Sequence, residues 1–109
     1  MSTMTKEQYF EFAQDFFNQC VEISKKKNAD YTGGNADPFS NFKAVESFSI
    51  SAEAGFITRM SDKLARIGTF VSQGQLQVKD ESVTDTLRDL ANYSCLLAGL
   101  IKSRSNAKD

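Results

Sequence analysis

A run of polar residues in the last third of the chain has the types and spacing of an ion-binding helix face. Its members recur every three or four residues, which places them on one side of an α-helix. They are Glu81, Asp85, Arg88 and Asn92, with Asp89 at the edge. Carboxylates at i and i+4 can share one Mg²⁺ and its waters. The same pattern is typical of a solvated face of i,i+4 charge pairs, and both interpretations stay open.

A second polar set lies upstream and is mainly basic. It consists of Arg59, Asp62, Lys63 and Arg66. The set could hold a phosphate, because guanidinium groups match phosphate oxygens in a bidentate geometry. Asp62 could join Glu81 and Asp85 as a third Mg²⁺ ligand. Alternatively, the cations pair with the acids of the first set across a helix-helix contact, which is equally plausible from the sequence.

The segment "KNADYTGGNADPFSNF", residues 27–42, is predicted to be a long connection between helices. It contains the chain's one proline and two of its six glycines. Connections of this length are usually functional or disordered. Asp30 and Asn35 could read the polar edge of a base or sugar, and Tyr31 and Phe42 could stack on it. The alternative is a structural loop that packs Tyr31, Phe39 and Phe42 into the core, with a turn at Asp37.

Three long helices are predicted to position these residues. The first begins at Thr5, where Gln8 completes a capping box, and ends at the lysines Lys25–Lys27. The second runs from about Ser51 to Val71, and Gly74 stops it. The third begins near 80–82, with Asp85 closing an S-x-x-D cap, and continues to about Lys102. The segment before the second helix could form one more short helix.

Apolar residues at helical spacing predict which face of each helix is buried. The rows are Tyr9, Phe12, Phe16, Cys20 and Ile23; then Ile57, Met60, Leu64, Ile67 and Val71; and then Val83, Leu87, Leu90, Ser94, Leu97 and Ile101. The sequence therefore predicts a small all-α bundle that forms one domain over residues 1–109. We expect an ordered core over about 5–102 and a frayed tail over 103–109.

The composition excludes several classes of function. The chain has no histidine, so Ser-His-Asp, Cys-His and His-metal chemistry are excluded. A net charge of −1 gives no general attraction to nucleic acid. Cys20 and Cys95 are isolated in the sequence and are expected to be free thiols. With neither a membrane span nor a secretory signal in the sequence, we expect a cytoplasmic protein.

The third predicted helix is apolar on several sides near its end. The residues concerned are Tyr93, Leu96, Leu97, Leu100 and Ile101. Two neighbouring helices in so short a chain would not cover all of them. We therefore expect a homodimer or a higher homo-oligomer.

Three motifs give the chain a resemblance to a known family. "KNADYTGGNADPFSNF", "RMSDKLARI" and "DESVTDTLRDLANY" resemble the K-x-x-DY, NF, R-x-x-DK-x-x-R and DES-x-x-DTL-x-DLANY pattern of the nucleotide modification associated domain 1 family. These are small all-helical proteins, frequent in phages and encoded near nucleotide-modification and DNA-modification genes. The match spans residues 27–93. A more distant likeness is to MazG-type all-α nucleoside triphosphate pyrophosphohydrolases, from whose E-x-x-D spacing Glu81 and Asp85 depart by one residue.

The resemblance implies a nucleotide-handling protein that binds a nucleotide or a nucleotide-derived ligand. Hydrolysis of a nucleoside triphosphate with Mg²⁺ on Asp62, Glu81 and Asp85 is one form of this expectation. Sequestration of a signalling nucleotide without catalysis is another, and a protein-binding accessory role is a third. The predicted ligand-binding residues are Lys27, Asp30, Tyr31, Asn35, Asn41, Phe42, Arg59, Lys63, Arg66, Asp89 and Asn92.

Overall fold

The computed structural model describes residues 3–76 and 82–104, and their regular structure is entirely helical. The elements are α1 (Lys6–Thr32), α2 (Ser40–Lys43), a 3₁₀ turn (Ala44–Phe48), α3 (Ala52–Gln73) and α4 (Val83–Arg104). The all-α fold predicted from the sequence is confirmed. The short helix that the sequence allowed before α3 is present as α2 and the 3₁₀ turn.

The start of α1 agrees with the prediction, but its end does not. The Thr5 hydroxyl accepts the Gln8 N–H, and the Gln8 side chain accepts the Thr5 N–H in return. The helix does not end at the lysines but continues to Thr32. Gly33 ends it in the left-handed conformation, with φ of 59°, which glycine adopts at little cost. The lysines therefore lie inside α1, and the connection to α2 is much shorter than predicted.

The boundaries of α3 and α4 follow the local signals in the sequence. The Ser51 hydroxyl accepts the Ala54 N–H, and Gly74 ends α3 with φ of 77°. Ser82 and Asp85 exchange hydrogen bonds of 3.2 and 3.0 Å at the start of α4, as the S-x-x-D cap predicted. Helix α4 extends to Arg104, two residues past its predicted end, and the rest of the predicted tail lies outside the described residues.

The three long helices form a layer with α4 in the middle. Helix α4 packs against α3 on one flank and against α1 on the other, and the backbones of α1 and α3 do not come close to each other within the described ranges. Helix α2 and the 3₁₀ turn cover one side of this layer. The core lies beneath them. It consists of Phe42, Ala52, Phe56 and Leu100, with Phe39, Tyr93, Leu96 and Leu97 packed around it.

The predicted buried rows of α3 and α4 are partly wrong. Ile57, Leu64 and Val71 are 56%, 56% and 78% exposed, whereas Phe56 is fully buried. In α4, Leu87 and Ile101 are each 40% exposed, and the buried residues are Thr86 and Leu100. Phe56 of α3 and Leu100 of α4 pack with Phe42 of α2 in the core. The rows of Leu64 and Leu87 therefore lie to the side of this contact.

The α1 row is also covered only in part. Cys20 is buried and Ile23 is partly buried, but Tyr9 and Phe12 are 51% and 47% exposed. Only α4 packs along this part of α1 in the described structure. One neighbouring helix cannot cover a broad apolar arc.

The end of α4 does not expose the apolar surface from which we expected oligomerisation, so this part of the prediction is wrong. Leu100 is fully buried in the protomer, and Tyr93, Leu96 and Leu97 pack against its core. Helix α2 and the 3₁₀ turn supply the cover that two neighbouring helices alone would lack. The homo-oligomer itself stays a prediction.

Within residues 3–76 and 82–104, no helix is long and apolar enough to cross a membrane.

Candidate functional site

A cleft opens where the C-terminal part of α1, α2, α3 and the middle of α4 meet. Its cavity volume is about 50 Å³, which holds a few water molecules. A larger ligand would therefore extend out of the cleft, past the 64% exposed ring of Tyr31. The lining residues are Ser24, Lys27, Asn28, Tyr31, Asn41, Phe42, Arg59, Asp89, Asn92, Tyr93 and Leu96.

Most of the predicted ligand-binding residues meet in this cleft, although they come from separate parts of the chain. They are Lys27, Tyr31, Asn41, Phe42, Arg59, Asp89 and Asn92. Lys63 does not line the cleft, but it forms an ion pair with the lining residue Asp89. The sequence motifs thus correspond to one place in the fold.

Three predicted residues lie elsewhere. Asp30 is exposed and does not line the cleft. The Asn35 side-chain oxygen accepts the backbone N–H of Asp37 at 2.8 Å, so it shapes the turn before α2. Arg66 donates to the Thr86 hydroxyl at 3.4 Å. Asn35 and Arg66 therefore support the structure around the cleft, and none of the three residues lines it.

Asp89 is the electrostatic centre of the site. Its Oδ1 lies 2.9 Å from Lys27 Nζ, and its Oδ2 lies 3.1 Å from Lys63 Nζ. Burial lowers the pKa of Lys27, but the hydrogen bond and the charge of Asp89 outweigh that influence, and the pKa lies above its ordinary value. Lys27 therefore stays charged at neutral pH. Two cations around one carboxylate leave the group with a net positive charge.

Arg59 provides a further cation on the wall of the cleft. Its guanidinium carbon lies 5.0 Å from the centre of the Phe42 ring. Phe56 stacks on the same ring at a centroid distance of 4.3 Å. Phe42 is only 8% exposed, so its ring has no open face for a ligand. The stacking role predicted for Phe42 is replaced by a supporting one, in which the ring holds Arg59 in place.

The amide of Asn41 is the clearest unsatisfied group in the cleft. Its Oδ1 atom is buried, and no donor in the described ranges reaches it. Buried acceptors are nearly always hydrogen-bonded, so this atom requires a partner such as water or a ligand N–H. The neighbouring Asn28 amide is already engaged, because it donates to the Pro38 carbonyl at 2.8 Å.

The turn before α2 is held by Asp37. Its Oδ1 accepts the Phe39 N–H at 2.9 Å, and its Oδ2 pairs with Lys43 Nζ at 2.6 Å. The hydrogen bond from Lys43 holds the pKa of Asp37 below its ordinary value, with the Phe39 N–H adding to the effect. Phe39 packs on the core, as the structural alternative predicted, but Tyr31 does not.

The carboxylates predicted to bind Mg²⁺ do not form a site in the described residues. Asp85 caps α4, and its Oδ1 also accepts a hydrogen bond from Arg88 at 2.8 Å. The backbone N–H of Ser82, followed by its side chain, holds the pKa of Asp85 below its ordinary value. Asp62 is exposed, and no three acid or thiol groups cluster within 3–76 and 82–104. Glu81 lies outside the described residues, so the Mg²⁺ site stays a prediction.

Sequence reasoning missed Ser24, Asn28, Tyr93 and Leu96 as lining residues. Ser24, Asn28 and Tyr31 are spaced by four and three residues on α1, which is the signal that would have found Ser24 and Asn28. It was overlooked because α1 was expected to end at the lysines.

No family model, no curated protein and no solved structure matches the chain.

Proposed function

We propose that the chain binds a nucleotide or a nucleotide-derived ligand in this cleft. One observation carries the proposal. Two cations, an exposed aromatic ring and a buried acceptor without a partner converge there from α1, α3 and the start of α2. A ligand that uses all of them has an anionic group, a planar ring and an N–H donor. Nucleotides combine these features.

The anionic part of the ligand binds to Arg59 and Lys27. In the described residues, no carboxylate forms an ion pair with Arg59, whereas Lys27 shares Asp89 with Lys63. Arg59 is therefore the main phosphate contact, because its guanidinium presents two parallel donors to phosphate oxygens. Lys27 adds charge and turns one of its remaining donors toward the ligand.

The ring of the ligand lies beside Tyr31, at the mouth of the cleft. Tyr31 is the exposed aromatic residue among the lining side chains, and a base gains about 1–3 kcal/mol from stacking on such a ring. The polar edge of the base enters the small cavity and donates an N–H to Asn41 Oδ1. Asn92, on the facing side of α4, supplies a second amide for the same edge.

Binding without turnover is the form of the function that the site supports best. The three motifs that resemble the nucleotide modification associated domain 1 family contribute all the lining residues of the cleft except Ser24 and Leu96, and we propose membership in that family on this basis. Hydrolysis of a triphosphate would require a metal site, and Asp85 is engaged by Ser82 and Arg88. Sequestration of a nucleotide is therefore the proposed role.

Calorimetric titration with a nucleotide panel tests this proposal. The panel contains nucleoside mono-, di- and triphosphates and cyclic dinucleotides, with a nucleoside and inorganic phosphate as partial ligands, each with and without Mg²⁺. We expect at least one nucleotide to bind, with neither partial ligand matching it, and Arg59→Gln to weaken binding at least tenfold. Absence of binding across the panel, or equal binding by Arg59→Gln, contradicts the proposal.

A further inference from the structure

An open groove adjoins the cleft where α1 passes α4. Ser24, Asn28, Asn92 and Leu96 line both cavities, so these four side chains form the boundary between the cleft and the groove. The groove has a volume of about 570 Å³, whereas the cleft has a volume of about 50 Å³. Small-molecule pockets usually measure about 300–1,000 Å³. The groove therefore offers the space that the cleft alone does not.

The wall of the groove beyond this boundary is mainly apolar. Val21 and Ala29 contribute to it from α1, Pro38 from the turn before α2, and Cys95 from α4. Val21 is 53% exposed, and Cys95 is exposed as well. An apolar wall of this kind gains most from the flat face of a ring, because the ring and the wall then remove each other from water.

Two polar groups of the groove are already engaged within the protein. The Thr32 hydroxyl donates to the Asn28 carbonyl at 2.8 Å, and Asn35 Oδ1 accepts the backbone N–H of Asp37 at 2.8 Å. They shape the wall and add little capacity for binding hydroxyl groups. A ligand part made mainly of hydroxyl groups would replace few of its bonds to water there. The groove is therefore better suited to a ring than to a sugar chain.

Lys25 gives the groove a positive charge. It lies about 160° around α1 from Lys27, with Ser24 and Asn28 between them. Its ammonium group lies 3.6 Å from a Glu22 oxygen, in a pair whose side chains are 71% and 66% exposed. An ion pair this exposed contributes little to stability, so Lys25 can turn to an anion at low cost. Cations thus lie on both sides of the boundary.

The boundary does not tie α1 to α4 by hydrogen bonds. Ser24 has a small side chain, and the Asn28 amide donates to the Pro38 carbonyl at 2.8 Å. Within the described ranges, no side-chain hydrogen bond joins Ser24 or Asn28 to Asn92. A ligand can therefore lie across the boundary without breaking an interhelical hydrogen bond.

We infer that the ligand is a dinucleotide whose second nucleoside lies in the groove. The inference rests on the proposed function, in which the first base enters the cleft. A phosphate of the link lies at the boundary, between the ammonium groups of Lys27 and Lys25. The second base packs on the apolar wall formed by Val21 and Ala29. A mononucleotide leaves the groove empty.

Calorimetry with matched ligands tests the inference. The dinucleotides pApA, pGpG, pCpC and pUpU, and the cyclic dinucleotides of A and G, are compared with AMP, GMP, CMP and UMP. We expect at least one dinucleotide to bind about tenfold or more tightly than its mononucleotide, because a second ring is buried.

Two groove variants locate the second nucleoside. Lys25→Gln removes the charge of the groove, and Ala29→Phe fills part of it. Each should weaken dinucleotide binding by about threefold or more and leave mononucleotide binding unchanged. Lys26→Gln is the matched control, because Lys26 is exposed and lines neither cavity. Equal dinucleotide affinity of Lys25→Gln and Lys26→Gln overturns the inference.

A measurement on the wild type covers the case in which a variant fails to fold. Cys95 is exposed and lines the groove but not the cleft, whereas Cys20 is buried. Iodoacetamide should alkylate Cys95 several-fold more slowly with the tightest-binding dinucleotide at saturation. The corresponding mononucleotide should leave the rate unchanged.

The outcomes separate this inference from the proposed function. Binding of mononucleotides as tight as that of every dinucleotide overturns the inference and leaves the nucleotide site in place. An alkylation rate of Cys95 that a saturating dinucleotide does not change has the same meaning. If no nucleotide of either kind binds, the inference and the proposed function both fail.

Discussion

Lys63 Nζ lies 3.1 Å from Oδ2 of Asp89, which joins α3 to α4 directly behind the cleft. The other oxygen of the same carboxylate binds Lys27 from α1 at 2.9 Å. One side chain therefore connects all three long helices and lines the candidate site. Because the backbones of α1 and α3 are not close to each other in the described ranges, changes at Asp89 should affect both stability and binding.

Asp89→Asn should lower stability without weakening the binding of an anion. The Asp89 side chain is 22% exposed and that of Lys63 is 23% exposed. Removing the negative charge of Asp89 therefore leaves the partly buried ammonium groups of Lys27 and Lys63 without the carboxylate that neutralises them. We expect the free energy of unfolding to fall by about 1–3 kcal/mol. Urea unfolding measures it, with the exposed Asp15→Asn as the control. Nucleotide affinity should stay equal or rise, and a large loss of affinity would contradict the assigned role.

The stabilisation from Lys27 should be lost at alkaline pH. Its pKa is raised from 10.5 in the folded protein, so the charged form is favoured by folding. The contribution is complete below 10.5 and is lost as the pH rises through the folded value. The stability difference between wild type and Lys27→Met should shrink in this range. Lys26→Met, on the exposed side of α1, should show no such change.

Asp85→Ala should destabilise α4 in the same way with and without Mg²⁺. The variant removes the carboxylate half of the cap with Ser82, which typically costs about 1 kcal/mol. Since the folded pKa of Asp85 lies below 3.8, its contribution is present above that pH and disappears as the pH falls through the folded value. Thermal melts measure the difference. A Mg²⁺-dependent rise of the wild-type melting temperature that the variant lacks would instead support the metal site.

Tyr31→Ala should weaken nucleotide binding and leave the fold intact. The ring is 64% exposed, so its removal costs little packing, while a stacked base would lose about 1–3 kcal/mol of binding free energy. We expect affinity to fall by about tenfold, measured by calorimetry, with unchanged circular dichroism. Tyr9→Ala, at the other end of α1, is the matched control. Normal binding by Tyr31→Ala would show that the ring does not contact the ligand.

Local signals in the sequence located most of the helix ends. Thr5, Ser51, Gly74 and the Ser82–Asp85 pair each act on backbone groups within four residues, and the structure shows all of them in these roles. The end of α1 was misplaced because lysines are tolerated inside a helix, whereas Gly33 in the left-handed conformation stops it.

The rotation of each helix could not be obtained from the sequence. Helix α3 has an apolar arc wider than its contact with α4, so the spacing of apolar residues does not determine which part of the arc is buried, and the predicted row of Leu64 was chosen over the side of Phe56. The partner of Lys63 was also undetermined, because Asp85 and Asp89 lie one turn apart and only the packing selects Asp89. Asn41 could be placed in a motif, but its unsatisfied oxygen is visible only in three dimensions.

The most direct test of the nucleotide site compares two adjacent lysines. Lys27 lines the cleft, whereas Lys26 is exposed about 100° away on α1. Both variants, Lys26→Gln and Lys27→Gln, lose the same charge, so a nonspecific electrostatic effect would be equal in the two. Calorimetry with the best nucleotide of the panel should give wild-type affinity for Lys26→Gln and at least a fivefold loss for Lys27→Gln. Equal affinities in the two variants would contradict binding in the cleft.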